Sequence, residues 1–409
     1  MKKDLATTGL SQAFVLLSIF ACYKLAILIL GDTGFSEYAI SRRVIALLQP
    51  LILLGLGVGV PRYIAHEAVS SKEDRSGSYF LSALIIVLIV SAAFVSAASF
   101  LPHSFAGLMF GDQKYSGLSV PISLILLGNA LTALCYAYYR GKISFFKANF
   151  IAIINMGIIP LASFFMNNSL ADILMFNGLA GILFSVLYIF FILAGSGSDF
   201  SGLITSTKAL LVFGTQRVPG ELGMAAMLSL PALIALHNLG IEKAGYIAFG
   251  VSIINAVGQI FSPIGLVFLP IASRLFAGGQ KDLLKKYSGK MILLSLCVSA
   301  ILLAGYLLFG KIALRHYMGN DIPDLYLAVL AALVSGFGYS VFASLRSFID
   351  ALCVNAVNTV NILLCLALFS AISMFTKTYL LILLNFSFSL SLLGALSIIS
   401  VSLLARDKK

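Results

Sequence analysis

The run LSALIIVLIVSAAFV, residues 81–95, is apolar on every face of any helix or strand it could form. An outer-membrane strand alternates apolar and polar residues over about ten positions, so this run excludes a β-barrel. Roughly 20 mostly apolar residues carry a helix across about 30 Å of hydrocarbon. Cutting the chain where charge, Pro or Gly interrupts such runs gives twelve segments: 9–30, 42–61, 79–101, 118–139, 147–166, 171–194, 209–236, 246–270, 291–310, 324–345, 351–373 and 379–404. The expected fold is all-α, a polytopic membrane protein of 12 transmembrane helices.

Composition closes off the soluble alternatives. Only 11% of the 409 residues are charged and 60% are hydrophobic, against about 25% charged in soluble domains. The net charge of +11 is scattered between apolar runs and forms no basic stripe, so nucleic acid is not a partner. Cys22, Cys135, Cys297, Cys353 and Cys365 all lie in apolar runs without CxxC spacing and read as small hydrophobes. The histidines, at 66, 103, 237 and 316, are too dispersed for a metal site. No HExxH or GxxxxGK[ST] run occurs, so neither an enzyme nor a metal or other cofactor is expected, and energy must come from a gradient.

Orientation follows from the basic residues of the short loops. With the N-terminus in the cytoplasm, 18 Lys and Arg fall inside and 5 outside, namely Lys114, Lys243, Lys311, Arg315 and Lys377. That asymmetry places both termini in the cytoplasm. Lys2 and Lys3 precede an apolar core with no small-x-small cleavage site, so the first span is expected to be retained.

An internal repeat organises the spans. Residues 38–74 lie over 246–282, with Pro61 on Pro270; Met109 to Asp112 lie over Tyr317 to Asp321; Arg140 and Asn149 lie over Arg346 and Asn355. Six helices separate equivalent points, so the halves keep one orientation, a parallel repeat about an axis along the membrane normal. The expected domains are a six-helix bundle over 1–194, a Gly/Ser-rich linker over 195–208 and a second bundle over 209–409.

Charges at membrane depth are the candidate site residues, because each costs roughly 2.5–3.5 kcal/mol at mid-helix. Lys24 sits well inside the first span, where it either snorkels to the outer interface or projects into a central cavity. Arg217 and Glu221 are four apart on one helical face. They either neutralise one another or bind an anion and exchange a proton. Arg42 and Arg43 open the second span and meet lipid phosphates or a departing anionic cargo. Arg62 and Arg140 follow helix ends, where they set topology or load a phosphate-bearing cargo. Asn129, Asn149, Asn155, Asn177, Gln49, Gln216, Gln259 and Asn355 add hydrogen-bonding capacity, and Pro219, between Arg217 and Glu221, can kink its helix.

The run 34–67, with Gly34 to Tyr38 leading into the second span and Gly55, Gly57, Gly59, Arg62, Tyr63, Ile64 and Ala65 closing it, resembles the polysaccharide flippases of the multidrug/oligosaccharidyl-lipid/polysaccharide exporter superfamily. Phe213, Gly214, Pro219, Leu269, Pro270 and the loop GGQKDLLKKY look like that family's second half. The resemblance implies a flippase of the bacterial inner (cytoplasmic) membrane. Its cargo would be an undecaprenyl-pyrophosphate-linked oligosaccharide, moved for O-antigen, capsule or other lipopolysaccharide or polysaccharide biosynthesis. Lipid-linked oligosaccharide, membrane lipids, an H+ or Na+ coupling ion and a polysaccharide polymerase would be the partners. The alternative is a cation-coupled drug or metabolite exporter of the same superfamily, although 9–30 contains no Asp or Glu.

Overall fold

The computed structural model describes residues 2–70, 75–195, 202–277, 280–352 and 356–404. All fifteen regular helices among them are α-helical, joined by one 3₁₀ turn and one π turn, as an apolar chain that must satisfy its backbone internally requires.

Helix α1, Lys2–Leu53, is 52 residues long. Straight, it would reach about 78 Å, more than twice the hydrocarbon thickness. It folds back at Gly31, whose φ of 73° is the left-handed conformation that glycine adopts freely. Tyr23 and Tyr38 show the result. Their rings are 5.5 Å apart, whereas fifteen residues of straight helix would separate them by about 22 Å. The first two expected spans are therefore antiparallel arms of one hairpin, 2–30 and 32–53. The second arm starts ten residues earlier than the sequence suggested. It breaks again at Leu54 and Gly55, with φ of 46° and 72°, before α2, Leu56–Ser70.

Next come α3, Ser76–Phe100, α4, Pro102–Phe110, a 3₁₀ turn at Gln113–Leu118 and α5, Ser119–Gly141. Helix α6, Phe145–Ile153, runs through a π turn, Ile154–Ile158, into α7, Ile159–Met166, followed by α8, Leu170–Gly195. Of the expected linker, 196–201 lie outside the described residues. Leu203 to Lys208 are helical, in α9, Leu203–Thr215. Then follow α10, Val218–Leu239, α11, Ile241–Ala277, α12, Lys281–Met318, α13, Pro323–Leu352, α14, Val357–Ser373, and α15, Tyr379–Leu404.

Ten helical stretches among the described residues are long and apolar enough to cross a membrane. The first holds both hairpin arms, and the shorter apolar Val357–Ser373 adds another, which gives the twelve expected spans. Large apolar side chains such as Leu183, Phe190, Ile301 and Leu308 are more than 60% exposed, a surface suited to lipid rather than water. The protein is a multi-pass integral membrane protein.

By internal packing the chain divides into Met1–Ala225 and Ala226–Lys409, so α9 and the start of α10 pack with the first unit. In the first unit α5 is the central helix, against α8, α3 and α2; in the second, α13 packs against α11 and α15. In each unit a pair of glycines marks a close approach between the central helix and a neighbour. A Cβ on Gly128 of α5 would lie 3.2 Å from the Gly178 carbonyl oxygen of α8, and one on Gly394 of α15 would lie 2.7 Å from that of Gly338 in α13. Small residues let helices approach closely where hydrophobic burial gives no drive. Gly111 ends α4 and Gly319 ends α12, both with left-handed φ. These are paired positions of the expected repeat.

Candidate functional site

Two helix breaks meet inside the first unit. Gly55 and Gly214 touch backbone to backbone: a Cβ on Gly55 would sit 2.9 Å from the Gly214 oxygen, and one on Gly214 would run into the Leu54 oxygen. This contact brings α2 beside the junction of α9 and α10. There the Phe213 ring receives two guanidinium groups, Arg62 at 4.8 Å and Arg217 at 5.5 Å from its centroid. Arg217 Nε stands 3.9 Å from Glu221 Oε1, with both side chains partly exposed. Tyr63 stacks on Tyr79 at 5.1 Å, meets the Phe213 ring edge-on at 6.0 Å, and donates a hydrogen bond to the Ala209 carbonyl. The structure therefore joins Arg62, Arg217 and Glu221 in one cluster. Lys24 is half-buried on the first hairpin arm. Arg140, in the last turn of α5, lies over Tyr136 at 5.6 Å and favours the negative end of that helix.

Arg42 and Arg43 are not at the mouth of the second span. They stand eleven and twelve residues past the Gly31 turn, about 16–18 Å along the arm and near half the hydrocarbon thickness. Arg43 is buried, 4% exposed, and hydrogen-bonds the Tyr23 side chain. Arg42 donates from Nη1 to the Tyr38 hydroxyl at 3.2 Å and lies 5.6 and 5.9 Å from the Tyr23 and Tyr38 ring centroids. Phe35 and Phe164 complete the aromatic surround, 5.7 Å from Tyr23 and 5.2 Å from Tyr38.

A third polar group lies where α5, α8 and the π turn meet. Asn155 Nδ2 donates to Thr132 Oγ1 at 2.7 Å and Ser185 Oγ at 3.1 Å, and those hydroxyls are 3.0 Å apart. The sequence offered Asn155 as a donor but gave no sign of its partners, which are 23 and 30 residues away in the chain. It also missed Glu37, half-buried on the second hairpin arm and hydrogen-bonded to Tyr115. No cluster of His, Cys, Asp or Glu fit to hold a metal occurs among the described residues.

No family model matches the chain, and no curated protein does. Solved structures do. An inward-facing multidrug resistance MATE family transporter of the MOP superfamily superposes with a TM-score of 0.77 at 10% identity, covering 97% of this chain and 96% of the other. The outward-facing form of such a transporter gives 0.69 at 11%, over 98% and 96%. A MOP superfamily transporter from Pyrococcus furiosus, reported with reversed polarity of its binding pocket, gives 0.68 at 12%, over 98% and 95%. At these identities the likeness is one of fold. The chain has the all-α, two-bundle, polytopic fold of MOP superfamily transporters.

These likenesses overturn the flippase reading. Most of the matching folds are those of MATE transporters, and the lipid-linked oligosaccharide cargo, the polymerase partner and the O-antigen setting fall with the flippase reading. The physical reason lies in the residues that suggested it. Gly55 and Gly214 serve a backbone crossing and Gly59 packs on Phe213, so that glycine-rich pattern reports helix packing and carries no information on cargo.

Proposed function

We propose that the chain is a cation-coupled exporter of small organic molecules of the MATE type. It would act in the inner (cytoplasmic) membrane with both termini cytoplasmic and be driven by H+ or Na+ entry. The observation that supports this best is the agreement of fold over nearly the full length of both chains with a MATE transporter, at a TM-score of 0.77. The two packed units, Met1–Ala225 and Ala226–Lys409, are the moving bodies in this reading, so the boundary lies inside α10 and not at the linker expected over 195–208. Lys24 and Arg140 line the path, and the cluster at Phe213 couples it to the ion.

Glu221 is the group proposed to take the proton. Protonation would cancel the charge that faces Arg217 at 3.9 Å and leave the guanidinium resting on Phe213. A gradient shifts a conformational equilibrium only through such differential interaction. In proteoliposomes with an imposed pH or Na+ gradient, wild-type protein should move at least one of two small fluorescent ions, the cation ethidium or the anion fluorescein, against its gradient. Glu221→Gln should lose at least tenfold of the gradient-driven rate with an unchanged Tm. Folded wild-type protein that moves no test compound under either gradient rejects the exporter reading.

A further inference from the structure

Arg43, buried, and its part-buried neighbour Arg42 point to the charge of the cargo. We propose that Arg42 and Arg43, framed by Tyr23 and Tyr38, form an anion site inside the first bundle, so that the exported molecules carry a carboxylate, phosphate or similar anionic head. This rests on the exporter reading above.

Two adjacent guanidinium groups at this depth repel one another, and neither can lose its proton to escape. The surround offsets only part of that cost. Tyrosine faces and hydroxyls supply cation–π and hydrogen-bond stabilisation. The ionisable groups around Arg42 are Tyr38, Tyr23 and Cys22, and among the described residues it has no carboxylate partner. Glu37, the nearest acid on the arm, is engaged by Tyr115 and the Lys114 charge.

Hydrogen-bonding capacity is also left over along the arm. Arg42 Nε, both polar atoms of Gln49 and Ser36 Oγ are buried with no hydrogen-bond partner among the described residues. Arg42 and Gln49 are seven residues apart, as are Ser36 and Arg43, so each pair shares a helical face. An anion at the guanidiniums would quench their repulsion and accept from their forked donors, for which carboxylate and phosphate geometry is suited.

The test is ligand-dependent Tm of the full-length protein in detergent, since a ligand that binds the folded state raises stability with the logarithm of one plus its concentration over Kd. Phenyl phosphate and benzoate should raise it, and benzylamine, of similar size and opposite charge, should not. Arg42→Gln and Arg43→Gln should each weaken phenyl phosphate binding about tenfold or more, and Arg43→Lys should retain part of it. Tyr38→Phe, which removes only a hydroxyl, should weaken it several-fold and stands in should an arginine variant fail to fold. An equal shift in wild type and variants overturns the site, as does no anion-dependent shift in wild type. An arginine-dependent shift with phosphatidylglycerol but none with phenyl phosphate assigns the site to lipid and overturns the cargo claim. Gradient-driven flux of ethidium and of fluorescein is scored separately, so loss of the anion site leaves the exporter reading standing, and loss of flux does not touch the binding result.

Discussion

At the scale of single residues, glycines of one short run have opposite roles. Gly55 holds a left-handed φ and leaves no room for a Cβ, while Gly57, two residues on, has nothing within 4 Å. Gly55→Ala should therefore cost about 1–3 kcal/mol, from φ strain and overpacking. Gly214→Ala, whose Cβ would meet the Leu54 oxygen, should cost at least as much. Gly57→Ala should be neutral or stabilising by up to about 1 kcal/mol, since alanine is the better helix former. Thermal unfolding followed in detergent separates the three: equal Tm for the Gly57→Ala and Gly55→Ala variants would mean that the backbone crossing is not where the fold is held. The sequence motif treats these glycines alike, because a pattern of small residues does not show which of them another backbone touches.

At the scale of elements, the π turn at Ile154–Ile158 and the hydroxyls it serves act as a unit. The extra residue per turn places Asn155 between α5 and α8, while Gly157 is held against Phe14, 2.8 Å from where its Cβ would be. Asn155→Ala leaves two buried hydroxyls bonded only to each other and to backbone, and should cost about 1–3 kcal/mol. The triple change Asn155→Leu, Thr132→Val, Ser185→Ala removes every partner together and should cost less than the sum of its parts, which thermal unfolding of the single and triple variants decides. Span positions were legible from hydropathy because lipid contact demands apolar residues wherever they fall. The Gly31 fold-back was not. Asp32 and Thr33 mark a polar turn only two residues wide, and the next charges, Glu37, Arg42 and Arg43, displaced the expected start of the second span by ten residues. The pairing of Arg62 with Arg217 on Phe213 was equally hidden, since it depends on two breaks about 160 residues apart in the chain meeting at Gly55 and Gly214.

At the scale of the whole molecule, the parallel repeat makes a claim that needs no cargo. Equivalent loops must lie on one side of the membrane, because six spans, an even number, separate them. The turn after Gly111 and the turn after Gly319 are such a pair, each entered through a left-handed glycine cap and each exposing its charges, Asp112 and Lys114 in one, Arg315 and Asp321 in the other. Lys142, after α5, and Lys208, in α9, fall on the opposite side by the same parity. With the five native cysteines replaced by alanine or serine, single cysteines at 114, 321, 142 and 208 can be probed in intact cells with a membrane-impermeant maleimide. Lys114→Cys and Asp321→Cys should label from outside, and Lys142→Cys and Lys208→Cys only after the membrane is opened. If 114 and 321 label from opposite sides, an odd number of spans separates them, and the twelve-span count and the repeat fail together. If both label only from inside, the repeat holds and the excess of Lys and Arg in the short loops has been read with the wrong sign.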